Sequence, residues 1–346
     1  MTDLLHDPPD LQSALACLLE QVPSGRVTTY GRLAEALGAG VAARWVGSFL
    51  LHWPRVAELK VHRVVRADGQ LGSYYTGEVR EKAARLRAEG IVVQGMAVDL
   101  DRFGFERFDT ERPLLGLRRL QSRLSQRLIL EPPERLPRFV AGVDVSYRSA
   151  TGETEGVAAY ALVDFPGGNL VWSTTVRRPV RFPYISTLLA FRELPILLDL
   201  FDQVSANDRM AEVLLVDGSG IMHQRHAGIA THLGVALDRP TIGVTKKLLF
   251  GRVEPRGKPG EPRAVRDDGG VIGLAIDPTS TAIKPIFVSP GHRADVAFSG
   301  QVVGALLKGH RLPEPIYWAD RLSRREARQT AATLKPSVSR GDASGA

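Results

Sequence analysis

The stretches AGVDVSY (141–147) and VLLVDGSG (213–220) decide the fold class of this chain of 346 residues. Each carries one aspartate, Asp144 or Asp217, in or at the end of an apolar run that is typical of a buried β-strand. A buried carboxylate is unfavourable unless it is paired or binds a metal ion. Taken singly, Asp217 could instead cap the next helix and Asp144 could pair with an arginine.

A third acidic residue, Glu193, ends the stretch FPYISTLLAFRE (182–193), which lies on a predicted helix between the two aspartate strands. Hard oxygen ligands of this kind suit Mg²⁺, for which Mn²⁺ can substitute. A metal ion held by Asp144, Glu193 and Asp217 would suit hydrolysis of phosphodiester bonds.

The surrounding pattern predicts an α/β domain with a mixed sheet. Three consecutive strand-like runs predict an antiparallel meander. The runs are FVAGVDVSY (139–147), GVAAYALVDF (156–165) and LVWSTTVRRPV (170–180). A helix around 186–204, the strand VLLVD, a helix around 225–236 and the strand TIGV then predict βαβ alternation.

The first third of the chain predicts a small, mainly α-helical module. In VPSGRVTTYGRLA (22–34), Thr28 or Thr29 can cap a short helix, and the glycines of 38–40 end it. The stretch VAARWVGSFLLHW (41–53) then predicts a second helix. Helix, turn and helix are typical of a helix-turn-helix, whose second helix enters a DNA groove.

Composition agrees with a two-domain protein that binds an anionic partner. The net charge is +7, and residues 113–346 hold the excess, with 31 basic and 23 acidic residues. No apolar run reaches the roughly 20 residues that span a bilayer, so we expect a cytoplasmic protein without a membrane partner. The single cysteine, Cys17, excludes an intrachain disulfide, and its apolar neighbours predict a role in helix packing.

Residues from about 115 to 325 resemble endonuclease V, the nuclease that acts at deoxyinosine. The resemblance rests on six ordered motifs: VAGVDVSY, PYISTLLAFRELP, LLVDGSGIMHQRHAGIATHLG, PTIGVTKKLL, SPGHR and RLPEPIYWAD. It implies an RNase H-like fold, Mg²⁺ dependence and hydrolysis of the second phosphodiester bond 3′ to the damaged base. The products would carry 3′-hydroxyl and 5′-phosphate ends.

The resemblance also assigns roles to single residues. Asp144, Glu193 and Asp217 match the metal-binding carboxylates, and Lys246 and His292 match catalytic groups near the scissile phosphate. The residues that match contacts to the DNA or the base are Tyr184 (an aromatic wedge), Gly218, Gly220 and His223. This chain departs from the family at Ser186 and Thr187, because the family usually has a glycine shortly after the wedge tyrosine.

Residues from about 9 to 107 resemble the DNA-binding domain of O6-alkylguanine-DNA alkyltransferases. The motifs that carry this resemblance are VPSGRVTTYGRLA, AARWVG, VHRVVRADGQLGSY, RLRAEG and VDLDRFGF. Where that family has its reactive PCHR sequence, this chain has Lys60, Val61, His62 and Arg63. Since alkyl transfer requires a thiolate, we expect no alkyltransferase activity.

The domain therefore resembles alkyltransferase-like proteins, which bind lesions without repairing them. In this resemblance Arg44 matches the arginine that replaces the turned-out base, and Tyr30 matches the tyrosine that rotates the 3′ phosphate. His62 and Glu89 match the partners of the missing cysteine, and Tyr74 matches a pocket tyrosine. Trp53 stands where the family places a hinge asparagine, which is a second departure.

Together these observations predict a winged-helix or helix-turn-helix DNA-binding domain followed by an RNase H-like nuclease domain. The predicted boundaries are 9–107 for the first domain, 108–114 for a linker, 115–335 for the second domain and 336–346 for a disordered tail. The predicted partner is double- or single-stranded DNA with deaminated or alkylated bases. The alternatives are a non-enzymatic damage-recognition scaffold and an inosine-specific ribonuclease.

Overall fold

The computed structural model describes residues 8–150, 153–258, 260–278 and 284–333. The tail predicted at 336–346 lies outside these residues. None of the helices described is long and apolar enough to cross a membrane.

The N-terminal domain is built from short helices, as its sequence predicts. Helix α1 (Leu11–Gln21) begins at Asp10, whose carboxylate accepts hydrogen bonds from the N–H groups of Gln12 and Ser13. The other helices of the domain are α2 (Tyr30–Ala36), α3 (Ala43–His52), α4 (Val79–Ala88) and α5 (Leu100–Phe103). Thr29 caps α2, and a 3₁₀ turn (Gly40–Ala42) joins α2 to α3, which confirms the helix-turn-helix.

Two small sheets complete this domain. Strands β1 (Thr28–Thr29) and β2 (Val64–Val65) pair in parallel, and β3 (Val93–Gln94) and β4 (Ala97–Val98) form an antiparallel hairpin like a wing. The packing role predicted for Cys17 is wrong, because Cys17 is exposed. Helix α1 buries Leu11, Leu15, Leu18 and Leu19, and Cys17 lies on a different side of the helix from Leu15.

Helix α6 (Pro113–Ser125) joins the two domains and begins inside the segment predicted as a linker. Its first turn contacts the end of α2, where the N–H of Leu114 donates to the carbonyl of Leu37 over 2.8 Å. Its buried face carries Leu114, Leu117, Leu120 and Leu124, at the spacing of an amphipathic helix.

The C-terminal domain contains a sheet with nine strands among the described residues. The strands are β5 (Phe139–Ala150), β6 (Glu153–Asp164), β7 (Leu170–Pro179), β8 (Val213–Asp217), β9 (Thr241–Thr245), β10 (Arg252–Val253), β11 (Arg263–Asp267), β12 (Gly270–Ile276) and β13 (Ile286–His292). Their order in the sheet is β10-β11-β12-β13-β9-β8-β5-β6-β7. Strand β8 runs parallel to both β5 and β9, whereas every other neighbouring pair is antiparallel. The sheet is therefore mixed, and the meander predicted for β5, β6 and β7 is confirmed.

The helices of this domain are α7 (Leu189–Ala206), α8 (Ile229–Leu237), α9 (Val296–Ala305) and α10 (Glu314–Thr333). Helix α7 begins later than the predicted residue 186, because residues 185–188 form a turn in which Thr187 has a φ of 68°. Helix α10 packs closely on β5 at Gly142, where a Cβ atom would lie 2.2 Å from the carbonyl carbon of Pro315. Only glycine permits this approach.

One buried apolar cluster extends through both domains and α6. From the N-terminal domain it includes Leu15, Leu33 and Phe49, and from the C-terminal domain it includes Phe182 and Phe191. The buried leucines of α6 belong to the same cluster. Separate clusters fill the space on the two faces of the large sheet. The domains are therefore packed against each other and not joined by an extended linker.

Candidate active site and DNA-contacting residues

Three carboxylates meet at one edge of the large sheet. Asp144 lies on β5 and Asp217 ends β8, and the two strands pair in parallel with Val143 opposite Val216. Asp320, on α10, approaches from the helix that covers β5. One oxygen atom of each carboxylate lies within 4.8 Å of the others, and we call these three residues the carboxylate cluster.

The cluster concentrates negative charge in a partly buried place. Burial and the neighbouring charge of Asp217 raise the pKa of Asp144 to about 7, although Ser323 Oγ donates a 2.6 Å hydrogen bond to Asp144 Oδ2. Asp217 does not cap the next helix, because α8 begins after Gly228 without a side-chain cap. The partner of Asp144 is Ser323 and not an arginine among the described residues. Gathered carboxylates of this kind fit a hard divalent cation, which prefers oxygen ligands.

Lys246 lies directly beyond the end of β9 and reaches the cluster. Its Nζ atom lies 3.3 Å from Asp217 Oδ2 and 3.4 Å from Asp320 Oδ1. Arg324, one turn further along α10 than Asp320, also contacts the Asp320 carboxylate, with Nη2 at 2.9 Å from Oδ1. Two cations therefore balance part of the negative charge on the side of Asp320.

Glu193 lies on α7 and is buried behind the cluster. Tyr147 Oη donates a 2.8 Å hydrogen bond to Glu193 Oε1. Burial, together with the charges of Asp144 and Asp217, raises the pKa of Glu193 to about 8 against the effect of this bond. Glu193 is close enough to interact with both aspartates, but it is not one of the three residues whose oxygen atoms meet.

Asp320 was not predicted as a site residue from the sequence. The sequence did point to it, because Asp320 is the last residue of RLPEPIYWAD, one of the motifs that carry the resemblance to endonuclease V. On α10 its position relative to β5 depends on how closely the helix packs at Gly142, and apolar periodicity contains no information on that distance.

A cavity of about 120 Å³ lies beside the cluster. The residues that line it include Tyr184, Thr187, Gly218, His223 and Leu249, and Gly218 directly follows Asp217. Tyr184 stands at its rim with 66% of its surface exposed, which is unusual for an aromatic side chain. The cavity and the carboxylate cluster therefore both lie at the end of β8.

Gly220, predicted to line the base pocket with Gly218, is not among the residues that line this cavity. It lies against β13, where a Cβ atom would come within 1.9 Å of the Pro290 carbonyl oxygen. Its N–H donates to Ser289 Oγ over 2.9 Å. The structure gives Gly220 a packing role that only glycine can fill.

His223 lines the cavity as an uncharged ring. Burial lowers the pKa of His223 to about 4. Its Nδ1 atom accepts a 3.2 Å hydrogen bond from the N–H of Arg225, so the proton lies on Nε2 and is donated to the Thr187 carbonyl over 3.0 Å.

His292 lies away from the cluster. In β13 it pairs with Thr241 at the start of β9, whereas Lys246 follows the opposite end of β9 at Thr245. The two ends are four residue steps apart along the strand, or about 13 Å. The ring of His292 bonds instead to the N–H of Ile129 and to Asp238. The structure does not bring His292 and the carboxylates together.

The residues proposed to contact DNA in the N-terminal domain surround its helix-turn-helix. Arg44 is exposed near the start of α3, and Tyr30 is half-buried as the first residue of α2. Val61 and Tyr74 are buried, and the Tyr74 hydroxyl has no hydrogen-bond partner among the described residues. Trp53 stacks on Phe49 with ring centroids 5.0 Å apart, so it packs into the core of the domain.

His62 belongs to a buried ion-pair network. Glu89 accepts hydrogen bonds from His62 Nε2 at 2.8 Å and from Arg63 Nη2 at 2.7 Å. Burial opposes the ionised form of Glu89, but the bonds from Arg63 and His62 lower its pKa to about 2. The network keeps this carboxylate charged beside Val61, where no nucleophilic atom is present.

A profile of the endonuclease V family matches residues 122–321, which is more than half of the chain. The chain belongs to the endonuclease V family. A second profile, described as the DNA-binding domain of 6-O-methylguanine DNA methyltransferase, matches residues 10–91. The protein is therefore a DNA repair endonuclease with an N-terminal alkyltransferase-like DNA-binding domain.

Relatives and solved structures are similar to this chain over most of their own length. A bifunctional methyltransferase/endonuclease from Picrophilus torridus is 35% identical over 245 residues, which cover 71% of this chain and 77% of the relative. The catalytic domain of human endonuclease V is 30% identical with a TM-score of 0.59, covering 65% of this chain and 99% of that one. Endonuclease V of Ciona intestinalis, solved with DNA containing an inosine, is 27% identical with a TM-score of 0.59. The match covers 64% of this chain and 100% of that one. These solved endonucleases V confirm the α/β fold with a mixed sheet.

Proposed function

We propose that this endonuclease V cleaves DNA at deoxyinosine, hydrolysing the second phosphodiester bond on the 3′ side of the lesion in a Mg²⁺-dependent reaction. The observation that carries this proposal is the carboxylate cluster at the end of β8, directly beside a cavity with an exposed aromatic rim. The solved complex of the Ciona relative with inosine-containing DNA supports deoxyinosine as the lesion.

Asp144, Asp217 and Asp320 would hold the Mg²⁺ ion, and Mn²⁺ has the same preference for oxygen ligands. When bound, such an ion polarises the phosphate and lowers the pKa of the attacking water. We assign Glu193 to the same centre as a buried carboxylate whose charge interacts with those of Asp144 and Asp217. The intact set of carboxylates argues against a non-enzymatic scaffold.

The ammonium group of Lys246 bonds to both Asp217 and Asp320 and would neutralise charge that develops on the phosphate. Its partners hold it at the edge of the cluster, so the charge is in place before the substrate binds.

Tyr184 and the cavity would act on the base. An enzyme that works on a base in a duplex turns that base out of the stack, and an inserted side chain can fill the space it leaves. The exposed Tyr184 ring suits this insertion, and the cavity walls formed by Gly218 and His223 suit contact with the turned-out base.

The N-terminal domain, residues 9–107, would bind alkylated DNA without repairing it. Val61 offers no thiolate for alkyl transfer, and the exposed Arg44 on α3 is free to enter the DNA. Two DNA-binding domains on one chain raise each other's local concentration at the substrate. We propose O6-alkylguanine as the lesion bound by this domain and residues 115–335 as the nuclease.

Two variants separate these functions. A protein carrying Asp144→Ala and Asp217→Ala is expected to bind deoxyinosine DNA and to lose cleavage, whereas Arg44→Ala is expected to weaken binding to O6-methylguanine duplexes. Asp268→Asn, which changes an exposed acidic residue of the β11–β12 turn, is the control for altered charge. Mg²⁺-dependent cleavage by the double variant would contradict the assignment of the carboxylates.

A further inference from the structure

The wall of the cavity contains a strained turn. Residues 185–188 are closed by a 3.0 Å hydrogen bond from the N–H of Leu188 to the carbonyl of Ile185, and Thr187 has a φ of 68°. A β-branched residue rarely adopts this left-handed conformation, which favours glycine. Such strain persists only when the surroundings hold the residue in place.

Three side chains hold Thr187. Gln121 Nε2 and His223 Nε2 donate to its carbonyl oxygen over 2.9 and 3.0 Å. Arg225 Nη2 donates to its Oγ1 over 2.9 Å. A glycine at this position would lack the Oγ1 atom, so the bond to Arg225 exists because of the threonine.

Gln121 joins these contacts into one network. Its Oε1 accepts a 2.7 Å bond from Arg225 Nε, and its Nε2 also contacts the Ala227 carbonyl over 3.3 Å. Its exposed fraction is 0%, so each of these polar contacts replaces one that water would otherwise make. Gln121 thus bonds to two segments that both line the cavity, one around Thr187 and one around Ala227.

We propose that Gln121, Arg225 and Thr187 form a clamp that sets the base specificity of the cavity. The clamp fixes the turn 185–188 beside the wedge Tyr184, so the cavity keeps one width. A fixed wall favours a base of one size and shape, here the purine hypoxanthine, over a smaller deaminated pyrimidine such as uracil. Gln121 and Arg225 act as positioning residues through Thr187, and this inference rests on the deoxyinosine specificity proposed above.

The substitution Thr187→Gly tests the clamp without a large risk to folding, because glycine adopts the positive φ more readily than threonine. It removes the bond to Arg225. Thr187→Ser keeps the hydroxyl and is the matched control. The readout is the ratio of affinities for oligonucleotides with a single deoxyinosine or a single deoxyuridine, measured by fluorescence anisotropy in EDTA. The ratio of single-turnover nicking rates with Mg²⁺ is the second readout.

We expect Thr187→Gly to reduce the preference for deoxyinosine about tenfold, the range that shape selection in a pocket can supply, and Thr187→Ser to keep it within about twofold. Arg225→Leu should reduce the preference as Thr187→Gly does, since it removes the other end of the same bond. An unchanged ratio in Thr187→Gly, an equal loss in Thr187→Ser, or a wild-type protein that binds both bases equally would overturn the clamp. Selective binding without nicking would instead contradict the proposed reaction and leave the clamp standing.

Discussion

At the scale of single residues, Asp320 is the member of the carboxylate cluster that most needs testing. It pairs with Lys246 and Arg324, so its charge positions the ammonium group and would also help to hold the proposed metal ion. We expect Asp320→Asn to lower the single-turnover nicking rate by about hundredfold or more and to raise the Mg²⁺ concentration needed for half-maximal rate. Rates at a series of Mg²⁺ concentrations measure both effects.

The control for that experiment is Asp268→Asn, which makes the same chemical change at an exposed turn. Its rate and Mg²⁺ dependence should match those of the wild type. If Asp320→Asn behaved as this control does, Asp320 would have no part in the metal centre.

The lowered pKa of Glu89 predicts how the stability of the protein depends on pH. Its pKa in the folded protein, about 2, lies below the ordinary value of 4.5, so the unfolded chain binds the proton more readily as the pH falls. The stability contributed by Glu89 is complete above pH 4.5 and is lost between 4.5 and about 2. Urea unfolding should therefore show that the difference between wild type and Glu89→Gln shrinks over this range. A constant difference would mean that the ion pairs of Glu89 add no pH-dependent stability.

Some of the site follows from local sequence, and the rest depends on how distant segments pack. The positions of Asp144 and Asp217 can be predicted, because the apolar runs around them indicate adjacent strands that hold both residues at one edge of the sheet. The distance from His292 to the cluster cannot be predicted, since it depends on the direction of β13 relative to β9. Similarly, the contacts of Thr187 involve Gln121 and Arg225, which are distant in sequence.

At the scale of elements, α6 supports both domains. Leu117 is buried in the cluster that the domains share, whereas Arg119 on the same helix is exposed. We expect Leu117→Ala to lower the free energy of unfolding by about 2 to 5 kcal/mol, because it leaves a cavity in a packed core. Arg119→Ala should change it by less than about 0.5 kcal/mol. Urea denaturation measures both, and equal effects would show that α6 is not a structural junction.

The helices and strands were largely predictable because their apolar periodicity and caps are local signals. Thr29, one of the two residues proposed to cap α2, does cap that helix. The start of α7 was not predictable from periodicity, since the turn at Thr187 depends on side chains from α6 and from the loop before α8.

At the scale of the whole molecule, the shared apolar cluster predicts cooperative unfolding of the two domains. Hydrogen exchange through the urea transition, read by mass spectrometry, should show α3 and α7 losing protection at the same urea concentration. Separate midpoints would indicate that the contacts through α6 contribute little to the stability of either domain.

A cleavage map of an end-labelled duplex that carries one deoxyinosine tests the proposed function most directly. We predict a single Mg²⁺-dependent cut at the second phosphodiester bond 3′ to the lesion, absent in EDTA and absent in Asp217→Asn. Matched duplexes without a lesion or with O6-methylguanine, and an inosine-containing RNA, show whether the lesion and the sugar direct the cut. No cut at deoxyinosine, or equal cutting of the undamaged duplex, would rule out deoxyinosine-specific cleavage by this protein.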